Sequence, residues 1–229
     1  MQTGNDWWKA KAKDMTKTIV LHEKSSRAYG EKNTPEITAP ILRAFENTPR
    51  HNFCTAADRD YAYADRPLGI GSGQTISQPY IVALMTQLLE VKAGDRVLEI
   101  GGGSGYQAAI LSTLGVEVFT IEIQKPLVKE LEVKLAQFKN VHLKGGDGYH
   151  GWPENAPFDG IIITCAAKKE IPPALVDQLK VGAFVVVPIE HKSDHQVLYQ
   201  TRKVDDNGKI QNKEIIGVRF VPFTREGDN

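Results

Sequence analysis

The chain has 229 residues, with 28 Lys+Arg against 28 Asp+Glu and a formal net charge of zero. That length suits one well-buried α/β domain, and a hydrophobic content of 41% excludes wholesale disorder. The charge balance excludes a whole-chain basic bias toward nucleic acid, and no apolar run approaches the roughly 20 residues that span a bilayer. The apolar stretch 18–21 is too short for a signal-peptide core. Two scattered cysteines, Cys54 and Cys165, form neither a disulfide framework nor a zinc pattern. The expectation is a cytoplasmic monomer with reduced thiols and no nucleic-acid or membrane partner.

Residues 1–34 are polar and charged. They are expected to form a helical N-terminal extension packed on the core, with Trp7 and Trp8 pinning it. A single domain is expected over 35–224 and a polar tail over 225–229. The spacing of Ile37, Ile41, Leu42 and Phe45 predicts a helix over 36–47. Residues 49–76 carry Gly, Asp and Tyr without a clear period, and a long irregular stretch in a compact domain is often functional. Pro79 marks the first turn of a helix through Ile81, Leu84, Met85, Leu88 and Leu89, with Ser77 expected as its N-cap. Strands are then predicted at 97–100, 116–121, 141–143, 160–164 and 183–189, and helices from Gly105, at 126–138 and at 173–179. This alternation predicts a mostly parallel sheet with helices on both faces. Late strands at Gln196–Lys203 and 213–221 flank Asp205-Asp206-Asn207-Gly208, a hairpin turn, so the sheet is expected to end in an antiparallel pair.

The chemistry concentrates at Leu98-Glu99-Ile100-Gly101-Gly102-Gly103-Ser104-Gly105, between a strand and a helix. Glycines there let the backbone adopt positive φ and approach a ligand, and the helix start offers unpaired N–H groups. Aligned on Gly101 and Gly103, the third glycine of a dinucleotide fingerprint falls on Tyr106, and Gly105-Tyr106-Gln107 lacks the Lys-Ser/Thr of a P-loop. What remains is E-x-G-x-G-x-G. A carboxylate at Glu99 suits a ligand carrying an amine, such as the methionine part of S-adenosylmethionine. Glu122, closing the second strand, can accept two ribose hydroxyls. Asp147, in Gly145-Gly146-Asp147-Gly148 after the third strand, is placed to receive the adenine amino group. Ligands of open α/β sheets bind at these carboxyl ends.

Upstream lies Gly71-Ser72-Gly73-Gln74-Thr75-Ile76-Ser77-Gln78-Pro79-Tyr80. Together with the glycine turn, this segment resembles the bacterial form of the protein-L-isoaspartate O-methyltransferase family. Further matching pieces are Pro49-Arg50-His51-Asn52-Phe53, Ala62-Tyr63-Ala64-Asp65-Arg66-Pro67-Leu68, Gly146-Asp147-Gly148-Tyr149 with Gly151-Trp152, and residues 218–223. The resemblance spans roughly 36–224. Departures are Cys54-Thr55-Ala56 where a Val-Pro pair is usual, Gly69 where proline is common, and Gly102 where Thr or another small residue is common.

The resemblance implies a Rossmann-like α/β fold with an altered C-terminal strand arrangement. It implies methyl transfer from S-adenosylmethionine to the free carboxylate of L-isoaspartyl residues in damaged proteins and peptides, followed by unassisted cyclisation to a succinimide. Carried over by motif, Ser77 becomes the catalytic residue. Thr75, Ile76 and Gln78 line substrate and cofactor, and Glu99, Gly101, Gly103, Gly105, Glu122, Asp147 and Gly148 hold the cofactor. A carboxylate nucleophile with a pKa of roughly 4 is already ionised at neutral pH, so no general base is assigned. Two other readings stay open: methylation of another carboxylate, favoured by the altered Cys54 segment, and a non-catalytic S-adenosylmethionine-binding protein. His191 and His195 lack a third ligand and read as solvated, and Cys165 and His51 read as packing.

Overall fold

The computed structural model describes residues 6–191 and 195–227. Helix α1 (Trp7–Ala28) precedes α2 (Ala39–Asn47), the hairpin β1 (Leu68–Gly71) and β2 (Gln74–Ile76), and α3 (Pro79–Leu88). The alternating part follows: β3 (Arg96–Ile100), α4 (Tyr106–Thr113), β4 (Glu117–Glu122), α5 (Lys125–Leu135) and β5 (Val141–Gly145). Then come β6 (Phe158–Ile163), β7 (Ala167–Lys168), α6 (Pro173–Asp177), β8 (Leu179–Glu190), β9 (Gln196–Lys203) and β10 (Ile210–Val218).

Among the described residues the main sheet runs β10-β9-β8-β6-β3-β4-β5, with β7 beside the end of β8. Strands β8, β6, β3, β4 and β5 are parallel to their neighbours, while β9 and β10 are antiparallel additions. The chain winds from β3 toward β5 on one side and then returns to β6 and β8 on the other. The order therefore reverses between β3 and β6, which opens a crevice at the carboxyl ends of those strands.

The two-residue period of the strands divides the core. Val97, Val118, Ile162 and Val186 join the cluster built with α1 to α5, while Leu98, Phe119, Ile161 and Val185 face the cluster that contains Leu175 and Val176 of α6. Glu99 alternates onto the first face, toward α3 and α4. Helix α1 packs on α2 and α3 through Ala12, Met15 and Ile19. Trp7 lies over His51 at 4.9 Å and edge-on to Tyr63 at 6.3 Å, and remains 46% exposed.

Several local expectations change. The N-cap of α3 is Gln78, not Ser77, and its side chain makes no capping bond. Capping comes from 15 residues upstream: Asp65 Oδ1 accepts the Tyr80 N–H at 2.8 Å. The stretch 49–76 contains the β1–β2 hairpin, whose tight turn uses positive φ at Ser72 and Gly73. Strand β8 begins at Leu179, four residues before the predicted start, which shortens the helix before it. Strand β10 occupies Ile210–Val218, displaced toward the turn, because Asp205 Oδ1 accepts the N–H groups of both Asn207 and Lys209 and closes the hairpin early. Residues 219–224 then leave the sheet. Ala166 captures their backbone through Val221 O and the Phe223 N–H, and the Gln196 amide binds Phe220 N–H and C=O.

Candidate active site

The crevice is a cavity of about 520 Å³. Its walls include residues 74–78 before α3, the inner side of α3 and the start of α4, the glycine turn after β3, the strand ends of β4, β5 and β6, and the strap 217–224. Thr75, Ile76, Ser77 and Gln78 therefore meet Glu99, Gly101, Gly103, Glu122 and Gly148 around one space. Gly105 and Asp147 do not line it.

The glycine turn is held from three directions. The N–H groups of Gly101 and Gly102 donate to Ile121 O at 2.9 and 3.1 Å. The Thr164 hydroxyl reaches Ile100 O at 3.0 Å and Gly101 O at 2.6 Å. Glu122 Oε2 accepts the Gly103 N–H at 2.7 Å, while its Oε1 accepts the Gln124 N–H at 2.8 Å. Gly101 takes φ +94°, and a Cβ there would sit 2.7 Å from the Thr164 hydroxyl. Gly105 serves packing: a Cβ there would meet Leu131 of α5 at 2.9 Å. Gly102 likewise leaves room for Thr120 and Leu131.

Glu99 is 0% exposed, and among the described residues neither carboxylate oxygen has a hydrogen-bond partner within 3.5 Å, the Thr120 hydroxyl being the polar group beside it. Burial pushes its pKa from 4.5 to about 8; the neighbouring Thr120 hydroxyl opposes the rise and the Glu122 charge adds to it. An orphaned buried carboxylate on a cavity wall fits a cationic ligand group, such as the ammonium of a methionine moiety. Glu122 retains free lone pairs for hydroxyl donors after its two backbone bonds. Asp147 is otherwise engaged: it accepts the Tyr149 N–H at 2.9 Å, and Arg225 Nε lies 3.4 Å from its Oδ2. The wall beside it is formed by Gly146 and Gly148, and a Cβ on Gly148 would meet Ile100 at 2.5 Å.

On the opposite wall the Ser77 hydroxyl bonds to no described residue, while its carbonyl accepts Arg50 Nη2 at 2.8 Å. The Gln78 amide is turned back to Asp65 Oδ2 at 3.0 Å. Cys165 lines the cavity with its thiol pKa raised far by burial, which makes it a poor nucleophile. Cys54 lies outside the lining, its thiol directed at Arg50 O, so the departure at 54–56 does not reshape the cavity wall. Sequence reasoning gave no role to Thr164 or Gln196, and it saw Asp65 and residues 218–223 only as matching pieces of the resemblance. Thr164 was read as the last residue of a parallel strand, the one signal of its place.

A doubly wound sheet with this glycine turn and these strand-end carboxylates defines a Rossmann-like S-adenosylmethionine-dependent methyltransferase. The family model described as Protein-L-isoaspartate(D-aspartate) O-methyltransferase matches residues 27–228. A Nitrosococcus oceani Protein-L-isoaspartate O-methyltransferase 2 is 48% identical over 186 residues, covering 80% of this chain and 84% of the relative. A protein of Opitutus terrae with the name Protein-L-isoaspartate O-methyltransferase is 50% identical over 187 residues, covering 81% and 79%. A solved protein-L-isoaspartate O-methyltransferase superposes with a TM-score of 0.77 at 30% identity, covering 90% of this chain and 65% of that longer one. The chain belongs to the protein-L-isoaspartate(D-aspartate) O-methyltransferase family.

The geometry sharpens an expectation for Glu122. Its carboxylate braces the glycine turn as well as facing the cavity, so Glu122→Ala removes two backbone bonds along with any ligand contact. The variant is expected to bind S-adenosylmethionine about 1–3 kcal/mol more weakly and to lose a similar amount of stability. Calorimetry and thermal melting check both, and wild-type affinity in a folded variant would remove Glu122 from the site.

Proposed function

We infer that the chain methylates the free carboxylate of L-isoaspartyl residues in damaged proteins and peptides, and so begins their repair through a succinimide. The observation that carries this reading is the placement of residues 74–78 across one cavity from the glycine turn. A protein that only binds the cofactor requires the turn but not that second wall.

When bound, S-adenosylmethionine supplies an electrophilic methyl group on a sulfonium. Glu99 would hold its ammonium, Glu122 its ribose hydroxyls, and Gly101 and Gly103 the backbone approach. The chain's task at the other wall is to hold a carboxylate oxygen in line with that methyl, and positioning of this kind supplies much of the rate. Ser77 donates the orienting hydrogen bond. No base is required, since the substrate carboxylate is already ionised. Opposite charges neutralise in the transition state, so a dry site helps. Ile76, Val82 and Met85, with Val218 and Phe223 of the strap side, provide that apolar lining. The ester then cyclises without protein groups.

A methyl-transfer assay on matched isoaspartyl and aspartyl peptides tests the reading. The isoaspartyl peptide is expected to be methylated at least 100-fold faster, by analogy with sites that discriminate through buried polar groups, for which ratios of roughly 10⁴ are reached. Equal rates would overturn it. We also propose a monomer acting in the cytoplasm; the unpaired Cys54 and Cys165 support the reducing compartment, which cell fractionation checks, and sizing chromatography checks the monomer.

A further inference from the structure

Arg50 is 0% exposed, yet it forms no ion pair with any described carboxylate. Its Nε donates to Ala62 O and its Nη2 to Ser77 O, both at 2.8 Å. Among the described residues its Nη1 has no hydrogen-bond partner within 3.5 Å, although the Tyr106 side chain lies close enough to interact with the guanidinium. The guanidinium lies 4.8 Å over the ring of Tyr106, which lines the cavity. Burial pulls its pKa down, but an arginine starts so high that it stays charged. Asp65 is near enough to stabilise the cation electrostatically, but its oxygens are bound by the Tyr80 N–H, the Gln78 amide and the His22 ring.

A buried, half-satisfied cation is costly, and an apolar side chain of similar length would fill the same space at less cost. Its position suggests what it offsets. The cavity walls carry two carboxylates, Glu99 and Glu122, which suit a cationic ligand and repel an anionic one. An anionic substrate needs a positive field at the wall opposite them. Arg219 also lines the cavity, but it is exposed and its field is screened by water. The charge on Arg50 sits in low dielectric directly behind Ser77, where its field is stronger.

We propose that Arg50 is a positioning residue for the substrate carboxylate. Through the Ser77 carbonyl it fixes the backbone that presents the Ser77 hydroxyl, and its cation makes that wall attractive to an anion. This rests on the reading that the wall at Ser77 receives a carboxylate.

The test measures binding of two matched peptides in the presence of S-adenosylhomocysteine. One carries the free isoaspartyl α-carboxylate, and the other a neutral carboxamide in its place. In Arg50→Met the carboxylate peptide is expected to bind at least tenfold more weakly, while the carboxamide peptide and S-adenosylhomocysteine stay within threefold of wild type. Equal weakening of both peptides would reduce Arg50 to a structural support, and no weakening of either would also overturn the proposal. If Arg50→Met does not fold, Arg50→Lys decides. Compared with wild type at about pH 5, where a buried lysine retains much of its charge and the substrate carboxylate is still ionised, it loses the fork, so the carboxylate-to-carboxamide affinity ratio should stay within threefold while kcat falls at least tenfold. Unchanged kcat, or a collapsed ratio, would overturn the proposal. A wild-type protein that methylates no isoaspartyl peptide would instead sink the substrate reading, and this proposal with it.

Discussion

Glu99→Gln is expected to raise the melting temperature of the cofactor-free protein at pH 7 by roughly 6–12 °C while weakening S-adenosylmethionine binding at least tenfold. The cause is a carboxylate held in a place that disfavours its charge. In the folded chain Glu99 is fully buried, with no hydrogen-bond partner within 3.5 Å for either oxygen among the described residues, and its pKa rises from 4.5 to about 8. Between those two values the folded state keeps a proton that the unfolded state has released. Stability therefore falls as pH rises from 4.5 toward 8, and the full penalty is present above 8. At pH 7 the linkage amounts to about 3 kcal/mol. A glutamine of the same shape carries no such penalty, and each kcal/mol is worth roughly 2–4 °C in a domain of this size. At pH 5 the gain should shrink below about 1 kcal/mol, because the folded state is then fully protonated and the pH lies only just above the unfolded pKa. A stabilisation that is the same at pH 5 and pH 8 would show that ionisation of Glu99 is not its source.

The cofactor half of that prediction has the opposite sign for the same reason. The charge that burdens the cofactor-free protein is the one we propose to pair with the ligand ammonium, and losing a charged hydrogen bond costs about 1.5–3 kcal/mol. Binding should also draw a proton off Glu99 at pH 6–7. Calorimetry in two buffers of different ionisation enthalpy would register its release, and no buffer dependence would exclude the mechanism.

The parts legible in the sequence were those encoded locally. Val97, Leu98 and Ile100 form an apolar run closed by a glycine turn, β5 likewise ends at Gly145-Gly146, and the apolar run of β4 ends at Glu122 shortly before the helix that Pro126 opens. Glu99 and Glu122 were legible because ligands of such sheets sit where strands end. The parts that were not legible depend on distant partners. Ser77 looked like a helix cap beside Pro79, but the cap is supplied by Asp65, from a segment with no period of its own. Residues 219–221 continued an apolar pattern and read as the end of a strand, but Gln196 and Ala166 take the hydrogen bonds of this segment and lay it beside the cavity. Asp147 stood at the right strand end, yet Arg225 from the far end of the chain lies against its carboxylate. Arg50 was visible only as part of a motif, since nothing in its neighbours announces that it is buried behind Ser77.

Ser77→Ala should cut isoaspartyl methylation by roughly 10²–10³, the cost of losing one preorganised donor at a reacting oxygen. Cofactor affinity should change less than about twofold, because the residues proposed to hold the methionine and ribose parts, Glu99, Gly101, Gly103 and Glu122, lie on the glycine turn and strand ends across the cavity. The competing role for this serine, helix capping, would cost about 1 kcal/mol of stability and little activity. The structure separates the two before any measurement: Gln78 occupies the N-cap, Asp65 satisfies the Tyr80 N–H, and the Ser77 hydroxyl bonds to no described residue. Its backbone, held by Arg50 through the carbonyl, is untouched by the substitution. The melting temperature of Ser77→Ala should therefore stay within about 2 °C of wild type, less than the loss of a cap would produce. Turnover and melting of this one variant, with S-adenosylhomocysteine affinity as a control, decide the matter. A folded variant that methylates isoaspartyl peptide near the wild-type rate would remove the hydroxyl from the reaction and leave the orienting contact to backbone N–H groups of residues 76–78.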